Sequence, residues 1–136
     1  MTEQEIRTIL NRQREYFATG ATLSRKFRAE QLGKLKASLQ RHEEELNAAL
    51  QQDLGKSRME SYMCEIGLTL SELTWMQKHL RGLMQEKRVP TPLSQFAAIS
   101  FRSPSPYGTV LIMSPWNYPV LLTLDPLIDA IAAGNT

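Results

Sequence analysis

Cysteine is nearly absent from this chain, since Cys64 is the only one among its 136 residues, and no internal disulfide can form. Apolar runs long enough to cross a membrane are missing, and no signal peptide opens the sequence. Net charge is small because 16 Lys and Arg nearly balance 14 Asp and Glu. We therefore expect a cytoplasmic protein with no nucleic-acid partner, and no membrane contact for this segment.

Proline is absent from the first two thirds of the chain. All seven prolines lie between Pro90 and Pro126, where charge is also scarce: the charged residues after Arg88 are Arg102, Asp125 and Asp129. A charged, proline-free segment is typical of amphipathic helices, and an apolar segment with many prolines is typical of buried strands and turns. We predict an α/β protein with a helical N-terminal segment over 1–89 and the start of a second domain over 90–136.

Capping signals and apolar spacing predict about four helices in the first segment. Thr2 and Glu5 form a capping box, and a second helix begins near Thr22 or Ser24. A break at Arg41-His42 precedes a third helix that Gly55 ends. Ser57 caps a long fourth helix, which runs to about Glu86 and carries an apolar stripe of Met59, Ile66, Leu73 and Leu80. The basic cluster Arg25, Lys26 and Arg28 is predicted to lie on an exposed helix face.

The second segment predicts a strand, a loop and a helix. Ala97 to Arg102 alternate as a half-buried strand does, and Thr109 to Met113 form an apolar run that suits a strand covered on both faces. Pro119 suits the first position of a helix whose apolar residues recur with helical spacing, and Gly134 suits its end. Ligands bind at the carboxyl ends of strands in such units, so the loop from Ser114 to Pro119 is the candidate site.

Asn117 is the candidate catalytic residue of this loop. Its carboxamide can donate a hydrogen bond to an oxyanion that develops at the end of a strand. The alternative is that Asn117 caps the following helix, which is the commoner use of asparagine at such a position.

The loop also carries a resemblance to a known family. Ser114-Pro115-Trp116-Asn117-Tyr118-Pro119, followed by Ala132-Ala133-Gly134-Asn135-Thr136, resembles the aldehyde dehydrogenase superfamily, and Tyr118 with the helical N-terminus resembles its class-three branch, which acts on fatty and aromatic aldehydes. The resemblance covers essentially all 136 residues. It implies that residues 90–136 begin a Rossmann-like cofactor domain that is incomplete relative to the family.

The resemblance implies a role for each residue of the loop. Asn117 would be the oxyanion donor, Tyr118 would line the substrate funnel, and the cofactor NAD or NADP would lie against Met113, Ser114, Pro115 and Trp116. The family oxidises aldehydes to carboxylic acids through a cysteine thiohemiacetal, and the complete protein would be a homodimer.

The family's nucleophilic cysteine and general-base glutamate have no counterpart among these residues, so we expect the chain alone to be inactive. Cys64 lies within a predicted helix without an activating neighbour and is interpreted as inert. His42 and His79 are isolated, which predicts no metal site. The alternatives to a dehydrogenase segment are a non-catalytic helical interaction module and a truncated gene product.

Overall fold

The computed structural model describes residues 1–136 and is mostly helical, with one two-stranded sheet. The α-helices and strands in chain order are α1 Glu3–Ala18, α2 Arg25–Arg41, α3 Glu43–Leu54, α4 Arg58–Ser61, α5 Gly67–Leu83, β1 Lys87–Val89, β2 Ser100–Arg102 and α6 Leu121–Ala133. A π-helical turn, Tyr62–Ile66, joins α4 to α5, and short 3₁₀ turns occupy Ala21–Leu23 and Leu93–Gln95. No helix is both long enough and apolar enough to cross a membrane.

The helix boundaries follow the capping signals of the sequence. The Thr2 and Glu5 capping box is present, and the Ser24 and Ser57 side chains each accept a hydrogen bond at the start of the next helix. Gly55 ends α3 with φ of 66°, a conformation that glycine adopts without steric cost. The predictions for α1, α2 and α3 are therefore confirmed.

The predicted long fourth helix is interrupted by the π turn, which adds a residue and changes the face that each side chain occupies. Ile66, Leu73 and Leu80 are buried as predicted, but Met59, which precedes the π turn, is 72% exposed. Gly67 closes the turn: a Cβ there would lie 2.7 Å from the carbonyl oxygen of Tyr62. The helix also ends at Leu83, three residues before the predicted Glu86.

A single core joins helices from both ends of the chain, because α6 packs against α2 and α5. The buried apolar residues of this core are Leu32, Leu39, Leu50, Ile66, Leu73, Met76, Leu80, Ile128 and Ala132. Helix α6, which lies in the predicted second domain, is thus packed against the helical segment. The predicted domain boundary between 89 and 90 stays a prediction.

The prediction that the basic cluster is wholly exposed is wrong for Arg28. Arg25 and Lys26 are exposed, but Arg28 is buried, with Nε donating to the carbonyl of Thr22 at 2.8 Å and Nη1 donating to that of Ala132 at 3.0 Å. Burial lowers the pKa of Arg28. The guanidinium is tolerated there because it donates to the carbonyl of Ala132 in the last turn of α6, where a cation is favoured.

The predicted half-buried strand over Ala97 to Arg102 is shorter and more exposed than expected. Only Ser100–Arg102 form a strand, which pairs antiparallel with Lys87–Val89. Phe101 is 56% exposed.

The segment Thr109 to Met113 does not form the predicted strand. Val110 N donates to Thr136 O at 2.8 Å, and Thr136 N donates to Gly108 O at 2.9 Å. Two bonds that bracket one residue in this way are the pattern of a parallel pair. The rest of the segment has no neighbouring strand in this chain, so Leu111 and Met113 stay exposed instead of being covered on both faces.

Candidate functional site

The loop Ser114 to Pro119 connects the extended segment to α6 and presents Asn117 at the surface. Helix α6 has Val120 as its N-cap residue, with no side-chain cap of its own. The Asn117 carboxamide makes no hydrogen bond within the chain, so Asn117 does not cap α6. Pro119 lies just before the N-cap residue, so the prediction that it occupies the first helical position is wrong.

Glu65 supplies the cap that Asn117 does not. Its carboxylate oxygen Oε2 accepts hydrogen bonds from Val120 N at 2.8 Å and Leu121 N at 3.3 Å. These amides are among the unpaired donors at the start of a helix, and a carboxylate is favoured there by the helix dipole. Glu65 is fully buried, so the contact fixes the start of α6 from the interior.

Lys56 connects this cap to the loop itself. Its Nζ donates to Glu65 Oε1 at 2.5 Å and to the backbone carbonyl of Asn117 at 3.1 Å. The same ammonium lies 4.0 Å from the centroid of the Tyr118 ring, within cation–π range. Asn117 and Tyr118 are therefore both held by one buried lysine.

Two local features bring Lys56 and Glu65 to the loop. Gly55 reverses the chain at the end of α3, so that Lys56 follows directly, and the π turn carries Glu65. A buried ion pair is stabilising only when its remaining donors and acceptors are satisfied. Here each Glu65 oxygen accepts from a protein donor, and the lysine has a carbonyl and a ring besides its carboxylate.

Sequence reasoning assigned no role to Lys56 or Glu65. The signal lay in the spacing of the helix: Glu65 falls on the same four-residue repeat as Ser61, Thr69 and Leu73, all of which are buried. A carboxylate on a buried face needs a partner. The lysine that follows the helix-ending Gly55 is that partner, although the pairing across nine residues required the fold to reveal it.

The C-terminal end of α6 is fixed by the residues that follow it, Gly134, Asn135 and Thr136. Gly134 ends the helix with φ of 89°, as predicted. Asn135 joins helix to loop, because Oδ1 accepts from Gly108 N at 3.0 Å and Nδ2 donates to Ala130 O at 3.3 Å. The hydroxyls of Thr109 and Thr136 lie 3.2 Å apart beside this contact. Both ends of α6 are thus tied to the segment that carries the candidate site.

The residues predicted to hold the cofactor remain open to a ligand. Met113 is 85% exposed and Trp116 is 88% exposed, while Ser114 Oγ lies 2.6 Å from Thr123 Oγ1. No backbone–backbone hydrogen bond involves residues 111–117. Met113, Ser114, Pro115 and Trp116 form one continuous strip next to Asn117, and their roles stay predictions.

The remaining reactive side chains, one cysteine and two histidines, make no hydrogen bond to the loop Ser114 to Pro119. Cys64 is half-buried in the π turn and makes no disulfide. His79 stacks on Trp75 with ring centroids 4.3 Å apart, and His42 Nδ1 lies 3.3 Å from Glu45 Oε2. No group of three or more His, Cys, Asp and Glu side chains is arranged to hold a metal ion.

The family resemblance implies an asparagine-containing loop before a helix that ends in Ala-Gly-Asn, and both the loop and the helix are present. A sequence model of the aldehyde dehydrogenase family matches residues 1–136, so the chain belongs to the aldehyde dehydrogenase family.

Individual relatives place the similarity near family 3. The chain is 46% identical over 121 residues to 4,4'-diaponeurosporen-aldehyde dehydrogenase of Staphylococcus aureus (strain NCTC 8325 / PS 47), covering 89% of this chain and 26% of that protein. It is 44% identical over 126 residues to human aldehyde dehydrogenase family 3 member B1, covering 93% and 27%. A solved structure described as the substrate bound state of Staphylococcus aureus AldH superposes with a TM-score of 0.94 at 43% identity, covering 96% of this chain and 29% of that chain.

The chain spans about a quarter of the length of the curated relatives it matches. The fold prediction is confirmed at this level: a helical segment and the first part of an α/β domain, incomplete relative to the family.

Proposed function

We propose that the chain forms the N-terminal part of an NAD- or NADP-dependent aldehyde dehydrogenase that oxidises aldehydes to carboxylic acids, with Asn117 as the oxyanion donor. The observation that supports this most directly is that a residue other than Asn117 caps α6. Glu65 caps α6, which leaves the Asn117 carboxamide unbonded and exposed. A side chain that is not needed for the helix is available for a ligand.

Asn117 suits an oxyanion role because its neutral NH₂ group donates without adding charge. When a thiolate attacks the aldehyde carbonyl, negative charge develops on the carbonyl oxygen, and a positioned donor stabilises that charge. The thiolate and the base that later activates water come from outside these residues in this proposal. Cys64 is not the nucleophile, since it lies half-buried in a helix turn.

The segment from Met113 to Trp116 leaves backbone groups free to contact a cofactor. Residues 111–117 use none of their backbone groups in backbone–backbone hydrogen bonds, and the side chains of Met113 and Trp116 are exposed. Met113, Ser114, Pro115 and Trp116 would hold the nicotinamide end of NAD or NADP, which supplies the hydride acceptor when bound. Tyr118 would line the aldehyde entrance, where Lys56 holds its ring. The complete enzyme would be a cytoplasmic homodimer.

The test is Asn117→Ala in an enzyme of full family length that contains these residues. We expect turnover to fall roughly 10²–10³-fold with little change in the cofactor dissociation constant, because the donor acts where charge develops. Asn117→Asp should be as severe, since a carboxylate cannot donate and repels the oxyanion. Melting temperature should be nearly unchanged, because Asn117 caps nothing in this fold.

A matched control is Asn11→Ala, which removes an exposed carboxamide from α1 outside the loop and should leave turnover unchanged. Near-normal turnover in Asn117→Ala would reject the oxyanion role. Absence of aldehyde oxidation in the unmodified enzyme would reject the proposed function itself and favour the interaction module.

A further inference from the structure

We propose that Lys56 and Glu65 are positioning residues for Asn117: one buried ion pair fixes both the backbone of the oxyanion-donor residue and the start of the helix behind it. This inference rests on the proposed function for its catalytic consequence. Its structural basis is independent of that function, because it consists of contacts within the chain.

The backbone of Asn117 is anchored by a side chain and not by secondary structure. Residues 111–117 make no backbone–backbone hydrogen bond, so secondary structure does not hold this residue in place. The one hydrogen bond to the Asn117 backbone comes from Lys56 Nζ, at 3.1 Å. An exposed loop residue with a single buried anchor depends on that anchor for its position.

The residues that follow Asn117 are held by the same ion pair. Tyr118 is held through its ring, 4.0 Å from the same ammonium, and the amides of Val120 and Leu121 are held by Glu65 Oε2. Contacts therefore occur at both ends of the short stretch from Asn117 to Leu121. They converge on two buried side chains that hydrogen-bond each other at 2.5 Å.

Lys56 and Glu65 differ from the other ion pairs of the chain in their burial and in their contacts with the loop and α6. The other ion pairs of the chain, such as Glu44 with Arg58, are exposed on helix surfaces. Exposed pairs contribute little to stability, and these make no contact with the loop. The pair Lys56 and Glu65 is the buried exception, and both partners contact the loop or the helix after it.

The test compares Lys56→Met, Glu65→Met and the double variant Lys56→Met/Glu65→Met with Glu44→Gln as the surface control. Each single variant leaves a buried charge without its partner, so it can fail by destabilisation alone. The double variant removes both charges and keeps side chains of similar length. It therefore separates an effect on the position of Asn117 from an effect on stability.

The first readout is hydrogen exchange at Val120 and Leu121, measured by NMR or mass spectrometry, and it needs no catalysis. We expect exchange at these amides to be about tenfold faster or more in Glu65→Met and in the double variant, because a charged acceptor is lost. Glu44→Gln should leave the exchange unchanged. Unchanged exchange in the double variant would overturn the proposal.

The second readout is turnover in the enzyme of full family length. In the double variant we expect melting temperature to return close to the wild-type value while kcat stays about 10–100-fold low, because the donor is misplaced and not removed. Adding Lys56→Met/Glu65→Met to Asn117→Ala should lower kcat little further, since all three substitutions act through the same donor. Full recovery of kcat together with melting temperature would show that the pair only supports packing, and would overturn the proposal.

The two readouts also separate this inference from the proposed function. If the unmodified full-length enzyme does not oxidise aldehydes, the proposed function fails, and exchange at Val120 and Leu121 then decides the positioning role alone. If it does oxidise aldehydes and the double variant retains wild-type kcat, the proposed function stands and the positioning role fails.

Discussion

Gly134→Ala tests whether the end of α6 is held by Arg28 as the fold indicates. Gly134 has φ of 89°, and a Cβ built there would lie 2.4 Å from Arg28 Nη2. The left-handed backbone alone costs an alanine about 1–2 kcal/mol. Moving the guanidinium also weakens its bonds to the carbonyls of Ala132 and Thr22, and a hydrogen bond to a charged group contributes about 1.5–3 kcal/mol. We expect a total loss of roughly 3–5 kcal/mol in the free energy of unfolding.

Gly55→Ala is the matched control, because Gly55 also has a left-handed backbone, with φ of 66°, but nothing lies within 4 Å of its added Cβ. Its loss should be the backbone penalty alone, about 1–2 kcal/mol. Urea denaturation followed by circular dichroism at equal protein concentration measures both values. A difference of about 2 kcal/mol between the variants corresponds to the Arg28 contacts.

A double-mutant cycle with Arg28→Met completes the assay. In that background the clash is relieved and the guanidinium bonds are already gone, so Gly134→Ala should cost no more than Gly55→Ala does. Equal losses for Gly134→Ala and Gly55→Ala in the wild-type background would refute the reasoning. So would an undiminished loss for Gly134→Ala when Arg28 is methionine.

Two further predictions concern helices α5 and α6. Gly82→Ala should stabilise the chain by about 0.5–1 kcal/mol and raise its melting temperature, because Gly82 lies inside a helix with nothing within 4 Å of an added Cβ. A lower melting temperature would mean that Gly82 is packed more closely than the fold indicates. The pKa of Asp125 is raised, chiefly by burial and then by the carboxylates of Glu72 and Asp129. A carboxyl whose pKa is raised in the folded state lowers the stability of the fold when the pH lies above its ordinary pKa. Asp125→Asn should therefore raise the melting temperature at pH 7. The gain should vanish on acidification, because the aspartate is then protonated in both the folded and the unfolded state. A gain that grew on acidification would contradict this assignment.

Local chemistry in the sequence determined where most helices begin and end. Thr2, Ser24 and Ser57 act at helix starts through their own hydroxyls, and Gly55 and Gly134 act at helix ends through a backbone conformation that other residues rarely adopt. Each signal needs only residues within a turn or two, which is why it can be predicted without the fold. The family resemblance likewise followed from contiguous residues.

The tertiary structure alone decided which polar side chains are structural. Arg28 belonged to a basic cluster typical of an exposed face, but it meets the end of α6, which lies 104 residues further along the chain. The position of Asn117 favoured it as the helix cap, but Glu65, 55 residues from Val120 in the sequence, accepts the hydrogen bonds from the first amides of α6. Met59 is exposed and lies outside the predicted apolar stripe, because the π turn shifts the helical register by a residue.

Strand formation also depended on partners outside the local sequence. Thr109 to Met113 have the composition of a buried strand, but a strand is stabilised by its neighbours, and only Thr136 lies beside it here. Composition therefore determined what the segment is suited to, and pairing decided what it forms. The same holds for Lys56. Its charge is evident in the sequence, but only the fold brings Glu65, Asn117 and Tyr118 to it, and a buried ammonium needs such partners.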